Sequence, residues 1–298
     1  MSDELLFHGP ASEVITPFTE DGKIDFDLLA GEMEFLIKNG VTGVFVNGLA
    51  SEALMFSTEQ RVQTAKTAVE VSKGRIPVVG NILYNSVDLA IECLRGYEEA
   101  GCDAVIMTPP TIYKYTTEGL FTYFKEIAES TQLPVYLYNA PETGNKVSPE
   151  VIARLFKEVP NMKGYKDSTQ DIIHQQTVLR LIGKERHFEL MAGSDAQIVP
   201  TYMLGGVGVF SLITCVFPQL IVDTCKAAEN KEWEKAKELQ EKILRVRQAM
   251  KIGPFMAAYK YVGTLIDAPL GRMKAPLSEV SESDKGKILE ILNEQHML

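Results

Sequence analysis

Val41-Thr42-Gly43-Val44-Phe45-Val46-Asn47, then the helix-forming stretch Thr58–Ser72, then Ile76-Pro77-Val78-Val79-Gly80-Asn81-Ile82, then a second helical stretch at Val87–Ala100, set the pattern of the whole chain. Short β-rich apolar runs alternate with longer segments of helical period, and each pair occupies a few tens of residues. The same unit begins with a strand at 14–18 and a helix at 25–38. Strands at 104–108, 134–138, 162–168, 188–192 and 208–213 continue it, with helices at 118–130, 149–159, 172–182 and 196–204. Eight parallel strands with right-handed helical crossovers close most naturally into an α/β fold of the (β/α)8 TIM barrel type, whereas a doubly wound sheet usually has fewer strands and a reversal of strand order. Residues 1–217 are expected to form the barrel core. Residues 218–298 are expected to supply the last barrel helix and a C-terminal helical region, with the charged run 229–235 as a solvated helix face and Trp233 as the anchor beneath it.

Composition bounds the function. The chain has 298 residues, 45% of them hydrophobic, enough for one large domain with a substantial core. Its formal net charge of -10 and the lack of a Lys/Arg cluster argue against nucleic acid as a partner. No apolar run reaches the roughly 18 residues of a membrane span, and Met1-Ser2-Asp3-Glu4 lacks the basic start of a signal peptide, so a cytoplasmic protein is expected. Cys93, Cys102, Cys215 and Cys225 form no CxxC pair and read as small buried hydrophobes. His8, His174, His187 and His296 lack the HExxH spacing of a zinc site. Gly205-Gly206-Val207-Gly208 precedes a strand instead of following one, and so reads as a tight turn at the face opposite the site, not as a phosphate loop.

Candidate catalytic residues belong at the C-terminal ends of the strands. The sixth ends in Met162-Lys163-Gly164-Tyr165-Lys166-Asp167-Ser168. Strand alternation groups Met162, Gly164, Lys166 and Ser168 on one face, with Lys163 and Tyr165 on the other. Gly164 leaves lumen space beneath Lys166, so Lys166 is assigned inward and Lys163 outward. A buried lysine loses hydration, its pKa falls, and the neutral amine becomes a nucleophile able to form a Schiff base with a carbonyl. The structural alternative is an ion pair at the barrel mouth with Asp167 or Asp195. The fifth strand places Tyr136 and Tyr138 on one face, Tyr138 nearer the catalytic end, where a phenol beside a cationic lysine or iminium can move protons; a buried tyrosine with a satisfied hydroxyl is the bland reading. The second strand runs into Asn47-Gly48-Leu49-Ala50-Ser51-Glu52, a small-residue turn whose backbone amides can hold a carboxylate. Coupled to an imine-forming lysine, that turn suggests a 2-oxo acid. Glu52 and Asp195 stand near strand ends, where each can touch substrate or simply hold a loop.

These residues resemble the dihydrodipicolinate synthase and N-acetylneuraminate lyase family. Gly164-Tyr165-Lys166-Asp167-Ser168 is similar to its lysine strand, Tyr138-Asn139-Ala140-Pro141 to its Tyr-Asn-x-Pro, and Gly48-Leu49-Ala50-Ser51-Glu52 to its Gly-Thr/Ser-Thr-Gly-Glu turn. Gly193-Ser194-Asp195, residues 205–211 and Arg272-Met273-Lys274-Ala275-Pro276-Leu277 match further signatures, so the resemblance spans nearly the whole chain. It implies a (β/α)8 barrel, usually a homotetramer, that binds pyruvate or another 2-oxo acid as an imine on Lys166. It implies no metal and no organic cofactor. By the same resemblance Tyr138 shuttles the proton, the backbone at Leu49 and Ala50 cradles the carboxylate, and the carbonyl of Phe210 faces the lysine or substrate.

The departures bear on the substrate. Leu49 and Ala50 replace two hydroxyl residues, which removes side-chain hydrogen bonds to the carboxylate and interrupts the hydroxyl relay of the synthases. After Pro141 the chain passes through Glu142 directly to Thr143-Gly144, without the arginine that receives the semialdehyde carboxylate. Pro109-Pro110-Thr111-Ile112-Tyr113-Lys114-Tyr115 replaces the usual Pro-Tyr-Tyr, so no relay role is transferred to Tyr113 or Tyr115. The preferred expectation is a class I lyase that reversibly cleaves a longer 2-oxo acid to pyruvate and an aldehyde. The alternatives are a 4-hydroxy-tetrahydrodipicolinate synthase, a sugar-acid dehydratase, and a catalytically degenerate 2-oxo acid-binding protein.

Overall fold

The computed structural model describes residues 5–183 and 187–298; the reading of Met1–Glu4 lies outside them. Strands β1 (Gly9–Glu13), β2 (Gly43–Val46), β3 (Val78–Ile82), β4 (Ala104–Met107), β5 (Val135–Asn139), β6 (Met162–Asp167), β7 (Glu189–Ala192) and β8 (Gly208–Ser211) pair in sequence order, and β8 returns to β1 to close the barrel. The eight parallel strands expected from the alternating pattern are all there. Around them run α1 (Phe26–Lys38), α2 (Thr58–Ser72), α3 (Val87–Ala100), α4 (Thr117–Glu129), α5 (Pro149–Glu158), α6 (Ile172–Ile182), α7 (Ile198–Met203) and α8 (Pro218–Glu229), followed by α9 (Trp233–Met250), α10 (Ala257–Leu265) and α11 (Glu282–Glu294).

Local chemistry sets the helix starts. Asp25, Ser57, Ser86, Thr116, Ser148 and Asp171 each stand at the N-cap, where the side-chain oxygen accepts from a first-turn backbone N–H. Ser57 and Gln60 form a reciprocal capping box. Two apolar layers result. Aliphatic faces of strands and helices form the outer layer, while Phe7, Phe45, Ile106, Tyr136, Tyr138 and Phe210 fill the lumen.

Three expectations are corrected. The first strand is Gly9–Glu13, upstream of 14–18. Gly, Pro, Ala and Ser carry little β-propensity, but pairing with β2 and β8 on both sides imposes the extended backbone. Second, β5 and β6 shift register between Val135 and Tyr136, so that Val135 pairs with Met162 and Tyr136 with Gly164. This bulge at Lys163 breaks the alternation: Met162 joins the outer layer, and Lys163 reaches the buried Glu189 at 3.4 Å instead of pointing to the helices or solvent. Third, residues 230–232 are a break between α8 and α9, with Lys231 at φ +60°, and Trp233 remains 36% exposed. Ala236, Ile243, Val246 and Ala249 anchor α9 instead. Among the described residues no helix is long and apolar enough to cross a membrane.

Candidate active site

The closed barrel brings three strands to one point. Tyr138 on β5 and Lys166 on β6 are register partners, so both side chains emerge at the same level. Glu13, the last residue of β1, comes from across the lumen. Lys166 is 1% exposed, and its Nζ donates to Glu13 Oε2 at 2.7 Å. The same nitrogen stands 3.9 Å from the centroid of the Tyr138 ring, 4.3 Å from that of Phe45 and 5.8 Å from that of Phe210. Loss of hydration lowers the Lys166 pKa below the usual lysine value, and the Glu13 charge opposes that fall.

The ion pair of Lys166 is therefore with Glu13, not with Asp167 or Asp195. Asp167 turns outward, where it accepts from the Tyr165 hydroxyl at 3.0 Å and from Thr169. Tyr165 and Asn139 also share His174 of α6, so an outer polar network fixes the ends of β5 and β6. Asp195 accepts from the Ser211 hydroxyl, and burial lifts its carboxyl above the ordinary value. Glu52, at φ +60°, receives Lys260 at 2.9 Å and the Lys274 N–H at 3.2 Å, tying the turn after β2 to the C-terminal region.

That turn starts at Asn47, itself at φ +61°, whose amide donates to the Arg61 carbonyl and the Tyr97 hydroxyl. Ala50 N–H donates to Glu13 Oε1 at 2.9 Å. Gly48 lies against the same carboxylate, and a Cβ there would collide with it. Tyr138 is 5% exposed; burial first, then the Glu13 charge, holds its phenol well above pKa 10. The Ser168 hydroxyl stands 3.4 Å from the Tyr138 oxygen and 2.8 Å from the Gly193 carbonyl.

Beside Glu13 and Tyr138, the two residues that contact the lysine, opens a cavity of about 630 Å³. Glu13, Leu49, Ala50, Tyr138, Ser168 and Asp195 line its inner part, while Arg247, Lys251, Phe255, Met256, Tyr259 and Leu277 form an outer wall. Of the sequence candidates, Leu49, Ala50 and Tyr138 meet in this cavity, whereas Lys166 and Phe210 are not in its lining; Lys166 lies behind it, in contact with Glu13 and Tyr138, with Phe210 nearby. Tyr113 is instead 67% exposed, and the Tyr115 hydroxyl stands 3.4 Å from the Asn85 carbonyl. Sequence reasoning missed Glu13 and the cationic wall from the end of α9. A glutamate four residues ahead of Pro17, beside a strand placed too late, was the only available signal for the first.

The model of the dihydrodipicolinate synthetase family matches residues 6–295. A 4-hydroxy-tetrahydrodipicolinate synthase of Thermoanaerobacter sp. (strain X514) is 31% identical over 294 residues, 98% of each chain. The chain belongs to the dihydrodipicolinate synthetase family. Another relative of the same name, from Methanocaldococcus jannaschii, is 32% identical over 286 residues, covering 96% of this chain and 97% of its own. Among solved structures, YagE, a prophage protein of the dihydrodipicolinic acid synthase family from E. coli K12 in complex with pyruvate, superposes with a TM-score of 0.94 at 28% identity, covering 99% of this chain and all of its own. The Thermotoga maritima dihydrodipicolinate synthase gives 0.93 at 26%, covering 99% and 100%. Membership makes the chain an enzyme of the class I, Schiff-base-forming, pyruvate-dependent lyases.

Proposed function

We propose that the protein is a class I aldolase that reversibly cleaves a longer 2-oxo acid to pyruvate and an aldehyde, through an imine on Lys166. The observation that carries this reading is the dehydrated Lys166 amine in contact with two residues of the cavity lining, 2.7 Å from Glu13 and 3.9 Å from the Tyr138 ring centroid. The iminium withdraws electrons from the bond being broken, and Tyr138 acts as acid and base at the substrate hydroxyl oxygen. The protein's share is positioning and charge stabilisation. The Leu49–Ala50 backbone receives the carboxylate, and Phe210 packs near the lysine. The apolar and cationic outer wall, with Phe255, Leu277, Arg247 and Lys251, faces the remainder of the substrate.

A second reading, 4-hydroxy-tetrahydrodipicolinate synthase, is favoured by the names of the relatives. Against it stand Leu49 and Ala50, which bring no hydroxyl to the cavity, and the missing arginine after Pro141. Two assays separate the readings. Pyruvate release from a panel of 4-hydroxy-2-oxo acids, without condensation of pyruvate with aspartate semialdehyde, supports the aldolase; condensation alone replaces it by the synthase. Dehydration of sugar acids without aldehyde release supports a dehydratase.

The barrel at 1–217 and the helical region at 218–298 belong to one catalytic unit in this reading, because Tyr259 and Arg247 wall the cavity. The enzyme works in the cytoplasm as a homotetramer. Adjacent Ile112 and Tyr113, 82% and 67% exposed, support self-association, and mass in solution checks it.

A further inference from the structure

Glu13 does more than neutralise a buried lysine. We propose that Glu13 is a catalytic acid–base residue of this site: it takes the proton that Lys166 must lose to become nucleophilic and returns it to the departing hydroxyl. This rests on the reading of Lys166 as the imine-forming residue.

Geometry comes first. One oxygen of the carboxylate is 2.7 Å from Lys166 Nζ, the atom that reacts, and the other is fixed at 2.9 Å by the Ala50 N–H. The bare Gly48 leaves the space in which the carboxylate lies. Such a group is held in place by backbone and needs no rearrangement to exchange a proton with the amine. The neighbouring groups suit that task less well. Leu49 and Ala50 carry no ionisable atom. The Tyr138 phenol is kept protonated by burial and by Glu13 itself, so while Glu13 is charged it neither takes the Lys166 proton nor gives up its own easily. The Ser168 hydroxyl is turned to the Gly193 carbonyl at 2.8 Å.

The steps balance. The Lys166 ammonium gives a proton to Glu13, and the neutral amine forms a bond to the carbonyl carbon. As that bond forms the carbonyl π pair moves to oxygen, and a second proton then passes from nitrogen to that oxygen to give the carbinolamine. Glu13 then protonates that hydroxyl, the carbon–oxygen bond breaks, water leaves, and an iminium faces a carboxylate again. The pair begins and ends with one positive and one negative charge, so no net charge is created in the buried site.

A consequence for binding follows. Glu13 occupies the Ala50 N–H and places a negative charge in the turn that a substrate carboxylate would use. The residue should therefore raise the imine-forming rate while weakening pyruvate binding, a split that a purely structural ion pair does not produce.

The test is the rate of borohydride-trapped adduct formation with pyruvate, measured against pH and pyruvate concentration, in wild type, Glu13→Gln and Glu13→Asp. Groups facing Glu13 include Lys166 on β6, Tyr138 on β5, Cys215 after β8 and Tyr259 on α10, with Asp195 and Glu142 close to Lys166. The isosteric glutamine leaves all of them in place. Expected for Glu13→Gln are trapping slowed by about 10²-fold or more across the pH range and an unchanged or lower half-saturating pyruvate concentration. Glu13→Asp, which keeps an acid but retreats from Nζ, should recover part of the rate; it also decides the matter should Glu13→Gln not fold. A wild-type rate in Glu13→Gln, or a wild-type rate in Glu13→Asp, would overturn the proposal alone. No adduct in the wild type would overturn it together with the imine reading.

Discussion

A lysine at the end of β6 feels two opposed influences. Dehydration favours the neutral amine, whereas Glu13 at 2.7 Å and the faces of Tyr138 and Phe45 favour the ammonium. The balance leaves the pKa below the usual lysine value with a proton acceptor already in contact, which is what an imine-forming residue needs. Tyr138 is poised differently: its phenol stays protonated beside the charged Glu13, and the positive iminium formed next to it eases its ionisation, so that it takes the substrate hydroxyl proton after the imine has formed. Tyr138→Phe should accordingly reduce aldol cleavage by about 10²- to 10⁴-fold while pyruvate is still trapped on Lys166. Steady-state cleavage rates compared with trapping yields check this, and equal losses in both would place Tyr138 in imine formation instead. Lys166 and Tyr138 were legible because strand alternation and the rule that barrel sites lie at C-terminal strand ends both act locally. Glu13 was not. Its partner is 153 residues away, and the contact exists only because β8 closes onto β1.

At the scale of elements, the segment after β1 is pinned by α1. Ile15 N–H donates to Glu32 Oε1 at 2.9 Å, and Glu32 is fully buried. Burial pushes its carboxyl up to about 8, against the Ile15 N–H, which favours the charged form. The native state therefore holds a proton there that the unfolded chain releases nearer 4.5. Its stabilising contribution is complete below that lower value and is lost as the pH rises through about 8. Glu32→Gln keeps an acceptor for Ile15 and should flatten the fall in stability across that window, which denaturant midpoints measured against pH will show. A variant that loses stability with pH as steeply as the wild type would remove Glu32 as the cause. The helices themselves were readable to within a residue or two, because Ser, Thr and Asp caps mark their starts. The β5–β6 bulge left no comparable mark; it adds one residue to a strand without changing its composition, and so Met162 and Lys163 were assigned to the wrong faces.

Over the whole molecule, the eight-fold alternation of strand and helix was enough to specify the barrel, and the position of the lysine strand was enough to locate the site. The outer cavity wall was hidden, because α9 and α10 return over the barrel mouth by tertiary packing that no local pattern announces. Lys260 of α10 secures that return, donating to the Thr16 carbonyl at 2.8 Å, to Glu52 at 2.9 Å and to the Arg272 carbonyl at 2.6 Å. Everything proposed for the mechanism depends on Lys166 bonding covalently to substrate. The most direct measurement is the intact mass after borohydride treatment with pyruvate, for the wild type and for Lys166→Ala, with the adduct mapped to its peptide. A single reduced-pyruvate adduct on Lys166, absent in Lys166→Ala, is the predicted result; an unmodified wild type, or an adduct that persists in the variant, would contradict it.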